Sequence, residues 1–307
     1  MLRRCLRKLR NPSGSAAPNT DLARAIDRLR QEVASLHEKI ESIRVHTWID
    51  KEASIIAAQD VALMTAPRYA DPKCLVPHQA QMFSQNGEDG LIAEVFRRIG
   101  PSDRFFVEIG VGNGLENNTR LLLQAGWRGV WIEADARAVA DARRHFTQEI
   151  ADGRLRIVSE SVTRDNVAGL LRGARVAEAF DFLSLDIDIN TGHVWEALLE
   201  RGYRPRVACV EYNASVPPSV DWQVPYDPAG QWTDASNYYG AGLKTLENIG
   251  RRAEMSLVAC DYLGANAFFV RDQDLGDHFL QPFTAERHYE PPRFSLLNHR
   301  GHRKYKT

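Results

Sequence analysis

Two short stretches end apolar runs in oxygen-bearing side chains. DFLSLDIDIN (181–190) finishes on Asp186, Asp188 and Asn190, and RVACVEYN (206–213) finishes on Glu211, Tyr212 and Asn213. Like charges this close cost stability unless a cation, a proton or a polar ligand lies among them. Three chemistries stand open. A hard divalent cation such as Mg2+ takes carboxylate and carboxamide oxygens, which makes Asp186, Asp188, Glu211 and Asn213 its ligands. Without metal, Asp186 or Asp188 accepts the proton of an attacking hydroxyl, or His193 does so in their place. In the third, Asp188 and Asn190 only form an Asx turn or cap a helix starting at Thr191, and His193 is a surface histidine.

The elements that must position these groups are short apolar strands alternating with amphipathic helices. Strands are expected at 105–110, 129–135, 155–160, 180–188 and 206–213, then, after a helix near 239–253, at 256–263 and 266–272. Five βα units and two closing strands imply an α/β fold: an open, doubly wound, mainly parallel seven-stranded sheet covered on both faces. Ligands of such sheets bind at the carboxyl ends of the strands, which places Asp186 and Asp188 at the working edge.

VEIGVGNG (107–114) closes the first strand ahead of a helix near Glu116. Gly110, Gly112 and Gly114 allow a tight turn and close approach of backbone to a bound group. The sixth position of a dinucleotide fingerprint holds Leu115 instead of glycine or alanine. Glu108 would repel a pyrophosphate but suits a cationic or amine-bearing ligand. Glu133, closing the second strand, can accept both hydroxyls of a ribose. Together these residues fit S-adenosylmethionine better than a dinucleotide.

With that turn, an acid closing strand two and the five βα units, residues 80–272 resemble class I S-adenosylmethionine-dependent methyltransferases, whose domain is Rossmann-like. SLDIDINTGHVWEALLERGYRPRVACVEYN, with SQNGEDG (84–90), VPYDP (224–228) and NAFFV (266–270), is similar to the FkbM-type branch, often associated with sugar or polysaccharide modification. The resemblance implies that Glu108, Gly110, Gly112 and Gly114 line the methionine and ribose part of the cofactor and that Glu133 holds the ribose. It sets Glu160 and Ser161 by the adenine, and Ser84, Gln85 and Glu88 over the methionyl end. For SQNGEDG a plain helix start, capped by Ser84, is the alternative. The acid set is similar to that of catechol O-methyltransferase-type enzymes, with Glu-Tyr-Asn in place of their contiguous Asp-Asn.

The stretch 215–240 lies after strand five and has little periodicity. Its Trp222, Trp232, Tyr238 and Tyr239, with Tyr212 before it, offer faces for a sugar acceptor; the other reading is a packed Ω-loop. The loop carries Asp221, Asp227 and Asp234 and no Lys or Arg, which argues against nucleic acid.

Ahead of the domain, Leu22, Ile26, Leu29, Val33, Leu36, Ile40 and Ile43 form a heptad seam, β-branched at a and leucine-rich at d, the pattern of a parallel two-stranded coil; the other reading is a single amphipathic helix packed on its own domain. The expected organisation is a basic flexible start (1–20), a helical arm (21–66) forming a homo-oligomer through 21–46, a linker (67–80), a methyltransferase domain (81–275) and a tail (276–307). Residues 1–10 carry five basic and no acidic groups. They read as a solvated tail or as a weak contact with anionic lipid, peripheral to the inner membrane face. Across 307 residues the formal charge is −1, which gives no bulk pull toward polyanions. Scattered cysteines without zinc spacing fit reduced thiols in the cytoplasm, and no apolar run is long enough to cross a bilayer. The activity expected is methyl transfer to a sugar hydroxyl of a glycan or glycosylated metabolite. Its rivals are a non-catalytic scaffold on the same fold and a dinucleotide-dependent oxidoreductase.

Overall fold

The computed structural model of the protein describes residues 20–232 and 236–293. Expectations for residues 1–10, Cys5, Asp234 and the chain beyond 293 lie outside that range. Two compact units divide the chain, Met1–Ser54 and Ile55–Thr307. The first contains most of helix α1 (Thr20–Thr65), whose heptad residues Ile26 to Ile43 are exposed. No helix among the described residues is long and apolar enough to cross a membrane.

In the second unit, after the end of α1 and two 3-10 turns (Pro67–Tyr69 and Val76–His78), comes α2 (Glu88–Ile99). Acids occupy its first turn and Arg97 and Arg98 its last, matching the helix dipole. Leu91, Ile92, Val95 and Phe96 recur at helical spacing and are buried. There follow β1 (Phe105–Ile109), α3 (Arg120–Gln124), β2 (Arg128–Glu133), α4 (Ala136–His145), α5 (Thr147–Ala151), β3 (Leu155–Ser159), α6 (Val167–Gly173), β4 (Ala179–Leu185), α7 (Thr191–Glu200) and β5 (Arg204–Glu211). After the loop come α8 (Leu243–Arg252), β6 (Met255–Cys260), β7 (Asn266–Arg271), α9 (Asp272–Leu275) and α10 (Ala285–His288).

The seven strands lie in the order β3-β2-β1-β4-β5-β7-β6, all parallel except β7, which runs antiparallel to both neighbours. Alternation sorts the core into two layers. Val107, Ile109, Val130, Ile132, Leu183 and Leu185 face one, and Phe106, Trp131, Phe182, Val207 and Cys209 the other. The strand order reverses between β1 and β4, so the crevice expected of such sheets opens at the carboxyl ends of these two strands.

Most strand ends shift by one to three residues, β5 for instance to Arg204–Glu211, and three departures from expectation are more than a shift of ends. Strand β4 stops at Leu185 instead of 188, because Asp188 adopts a left-handed backbone (φ 57°) and opens a 3-10 turn, Asp188–Asn190. Within the linker, Tyr69, Cys74, Leu75 and Val76 are core residues. The expected tail packs on the domain as far as it is described: Phe279, Ala285, His288 and Glu290 are buried, and Glu290 accepts from Tyr69 at 2.9 and 3.0 Å.

Candidate active site at the carboxyl ends of the strands

The turn after β1 is shaped by its first glycine. Gly110 (φ 86°) donates to the Ile132 carbonyl at 3.0 Å, and a Cβ on it would lie 1.6 Å from the Asp186 carbonyl oxygen. Only glycine lets the ends of β1 and β4 close this far. Gly112 (φ 58°) would meet nothing within 4 Å, so it borders open space, and its N–H donates to Glu133 at 2.6 Å. Glu133 also accepts the Asp135 N–H at 2.9 Å. Each carboxylate oxygen accepts two hydrogen bonds, so acceptor capacity remains on both.

A cleft of about 320 Å³ follows, lined by Gly110, Glu133, Glu160, Val162, Asp186 and Asp188 among others. No Lys or Arg of the described residues lines it. Ser161 sits between two lining residues, and its carbonyl accepts from Asn166 at 2.8 Å.

Beside the cleft, Asp186, Asp188 and Glu211 each bring one carboxylate oxygen to within 4.8 Å of the others. Asp186 and Asp188 keep solvent-facing surface, while Glu211 is half-buried. Desolvation by the surrounding protein, then the Asp188 charge, push Asp186 up to about 6. Burial and the charges of Asp186 and Asp188 hold Glu211 well above the usual carboxylate range. The side-chain hydrogen bond between Asp186 and Glu211 lowers Asp186 and raises Glu211. Thr191 organises the group, accepting from Ile187 N at 3.0 Å and donating to Glu211 at 3.2 Å. Tyr239 is buried close by. Burial and the charges of Glu211, Asp186 and Asp188 raise its phenol.

Several expected site residues do other work. Glu108 points away from the cleft, on the face of Phe106. Its buried carboxylate accepts from Asn117 Nδ2 (2.6 Å), Asn118 N (2.9 Å), Thr119 N (3.0 Å) and Thr119 Oγ1 (2.5 Å). Burial nonetheless pushes it up to about 7. Gly114 (φ 76°) is buried, with Trp131 and Phe146 less than 3 Å from a would-be Cβ, so it packs the turn on the core and touches no ligand space. Ser84 is fully buried; its N–H donates to Asp89 at 2.8 Å and its Oγ accepts the Asp89 N–H at 3.0 Å, while the residue at the helix cap is Gly87, not Ser84. Gln85 is exposed, its carbonyl bound by Gln81. Glu88 is buried and accepts from Asn86 and, at 2.8 Å, from Asn266; its charge still bears on Asp186.

Asn213 drops out of the metal set. It is fully buried, donates to the carbonyls of Asn237 (2.7 Å) and Tyr239 (2.9 Å), and accepts from Ser215 N (3.0 Å). A carboxamide spent this way anchors the loop. Tyr212 is buried and donates to the Glu290 carbonyl at 2.6 Å, so it offers no face to a substrate. His193 sets Nε2 2.8 Å from the Val224 carbonyl, which fixes an N–H there, and stacks edge-on with Tyr226 at 5.4 Å. That nitrogen cannot serve as a base. Asn190 likewise holds the loop, donating to the Asp227 carbonyl at 2.7 Å. Two aromatic pairs follow, Trp222 with Tyr238 (5.6 Å) and Trp232 with Tyr239 (5.1 Å); Tyr238 is exposed.

Sequence reasoning missed Asp261. It is fully buried, accepts the N–H groups of Leu263 and Ala265 and, at very short range, Asn266, and is pushed up to about 8 by burial and the Glu88 charge. The signal was the turn sequence DYLGAN, in which an aspartate bonds the backbone ahead of it.

No protein-family model and no curated protein matches the chain. Among solved structures it is similar to cofactor-bound Rv0187 from MTB, with 18% identity over 73% of this chain and 90% of that one and a TM-score of 0.42. It is similar to the O-methyltransferase from Bacillus cereus in complex with SAH, with 16% identity over 72% and 89% and a TM-score of 0.38. The METTL16 MTase domain matches at 18% identity over 40% of this chain, TM-score 0.31. The chain spans about half the length of that domain (51%) and of the pyocyanin biosynthetic protein PhzM (54%). Likeness at this level concerns the layout of the fold and carries no chemistry across.

Proposed function

We propose that the chain is an S-adenosylmethionine-dependent O-methyltransferase acting on a sugar hydroxyl of a glycan or glycosylated metabolite. One observation carries the reading: the cleft at the strand-order reversal is lined by acids and no cation. A dinucleotide's pyrophosphate would be repelled there, whereas a sulfonium and an α-amino group would be attracted. The residues fit such a cofactor. Glu133 keeps acceptor sites for two ribose hydroxyls, Glu160 and Ser161 border the adenine side, and Gly110 and Gly112 leave the backbone open to close approach. When bound, the cofactor supplies an electrophilic methyl group.

The remaining chemistry belongs to the chain. The hydrogen bond with Glu211 favours the charged form of Asp186, so Asp186 is the group placed to accept the proton of the attacking hydroxyl. Proton acceptance of this kind contributes about 10²–10⁴-fold. Trp222, Trp232 and Tyr238 supply aromatic faces against which the C–H surface of a sugar packs, with the buried Tyr239 backing Trp232. A second reading is favoured by the convergence of Asp186, Asp188 and Glu211: Mg2+ in place of the shared proton, with the three carboxylates as ligands.

The test is a thermal-shift and calorimetric comparison of S-adenosylhomocysteine with NAD. Stabilisation by the first alone, lost by at least about tenfold in Kd on Glu133→Ala, supports the reading; one charge-assisted hydrogen-bonding group is worth that much. Response to neither ligand favours a scaffold on this fold, and response to NAD alone an oxidoreductase. Loss of methyl transfer in chelator, restored by Mg2+, would select the metal reading.

A further inference from the structure

A larger cleft lies at the opposite rim of the sheet. About 710 Å³ in volume, it opens at the amino-terminal ends of β1, β2 and β3, and five arginines line it: Arg128, Arg143, Arg154, Arg156 and Arg175. Its size is that of a small-molecule pocket. Nothing in the proposed methyl transfer uses it.

Three of the five arginines are anchored on backbone carbonyls. Arg143 donates to the Ile157 carbonyl at 3.4 Å, Arg154 to the Leu123 carbonyl at 3.1 Å, and Arg156 to the Ala174 carbonyl. Arg128 lies 5.9 Å over the Phe105 ring. Among the described residues only Arg154 of the five meets carboxylates, Asp152 at 3.4 Å and Glu149 at 4.0 Å. A guanidinium has five N–H donors in a planar fork, so anchoring one on a carbonyl fixes its direction and leaves the rest for an anion. The walls are mixed. Register puts Phe105 opposite Arg128 and Val130 opposite Arg156, so apolar and cationic groups share one sheet face.

We propose that this cleft binds an organic diphosphate, its phosphates gripped by the arginine forks and its organic part resting on Phe105 and the neighbouring aliphatic wall. Five arginines line the cleft while the carboxylates of Asp152 and Glu149 meet only Arg154, and bidentate recognition of phosphate is the geometry that arginine serves best. A nucleotide or a lipid can present the same group.

Calorimetry on the full chain tests this with inorganic pyrophosphate, uridine diphosphate and farnesyl diphosphate. The uridine base keeps an adenine-binding cleft from answering in its place. Binding of either organic diphosphate at least about tenfold more tightly than pyrophosphate supports the proposal. The tighter of the two names the source, nucleotide or lipid. Affinity should fall at least about tenfold in Arg128→Ala/Arg156→Ala, while the response to S-adenosylhomocysteine stays as in the parent chain. On the unmodified chain, the organic diphosphate should protect Arg128, Arg143, Arg156 and Arg175 from butanedione, read by mass spectrometry, so the proposal does not depend on the variant folding. No saturable binding of any probe at about 1 mM, pyrophosphate binding as tightly as both organic probes, equal affinity in the folded variant, or unprotected arginines would overturn it.

Discussion

Gly110 and Asp186 hold the two halves of the sheet together: the Asp186 carbonyl oxygen occupies the place a Cβ at position 110 would need, 1.6 Å away. The Asp186 N–H donates to the Ile109 carbonyl at 3.0 Å, so the β4 end is fastened to the same turn from both sides. Gly110→Ala must therefore push β4 from β1 and also adopt φ 86°, a left-handed value. The strained backbone alone costs about 1–3 kcal/mol. Urea denaturation should show at least that loss, and binding of S-adenosylhomocysteine should fall with it. Gly112→Ala is the control for the close approach: it too must adopt a left-handed backbone (φ 58°), but its Cβ would enter open space, so it should lose only the backbone part. Equal stability of Gly110→Ala and the parent chain would contradict the close approach.

The buried acids give the protein an unusual pH dependence. Glu108 lies at about 7, Asp261 at about 8 and Glu211 well above the usual range, all raised first by burial. With raised values the folded chain binds more protons than the unfolded one between the two pKa values, so stability falls as pH rises through that window. His288, lowered to about 4 by burial, works in the other direction but only below about pH 6.5. Between about pH 6.5 and 9 the unfolding free energy should drop by on the order of 2–3 kcal/mol. A stability that stays level or climbs over that range would mean that these carboxylates are ionised at neutral pH.

How much of this was legible in the sequence varies by residue. The sheet, its strand-order reversal and the meeting of Asp186 with Glu211 follow from period-two alternation and from adjacent parallel strands ending together. Glu133 and Gly110 follow from the turn that the first βα unit requires. The roles of Glu108 and Asn213 do not. A carboxylate beside a glycine turn serves a ligand or the N–H groups of the next helix equally well, and here Asn118 and Thr119 take it. A carboxamide after β5 looks like a ligand until the loop that folds back onto it supplies two carbonyls. Both outcomes depend on segments without periodicity, where sequence carries the least conformational information.

The loop over the site is fastened by side chains that were candidates for chemistry. Asn213→Ala would strand the carbonyls of Asn237 and Tyr239 and the Ser215 N–H, at a cost of about 1–3 kcal/mol. Limited proteolysis should then cut within 215–240 faster than in the parent chain. An unchanged cleavage rate would show that the loop is held elsewhere.

Under the proposed reaction His193 and Asp186 separate cleanly. His193→Gln removes a ring whose Nε2 already faces the Val224 carbonyl. The pH profile of kcat should keep its shape. Asp186→Asn should lower kcat by about 10²–10⁴-fold, with KM for the cofactor little moved. A profile flattened by His193→Gln would return the base to the histidine.

The arm makes the last prediction. Leu29, Val33, Leu36, Ile40 and Ile43 stand 53–64% exposed along one stripe of α1, a surface that a lone helix leaves in water. Each side chain of this size contributes about 1.5–3 kcal/mol when fully buried, and isolated helices gain little stability from propensity alone. The alternation of β-branched and leucine residues makes the stripe complementary to itself, so a second copy in parallel register is the proposed partner. One charge pair opposes that register, Lys39 facing Arg44 of the partner helix. Arg44 is paired at 2.7 Å with Glu41 of its own helix, which softens the repulsion. Sedimentation should therefore show a dimer, and Leu29→Glu/Leu36→Glu should give a monomer with the main thermal transition of the domain in place. A monomer in the parent chain at about 100 μM would leave the stripe without its proposed partner.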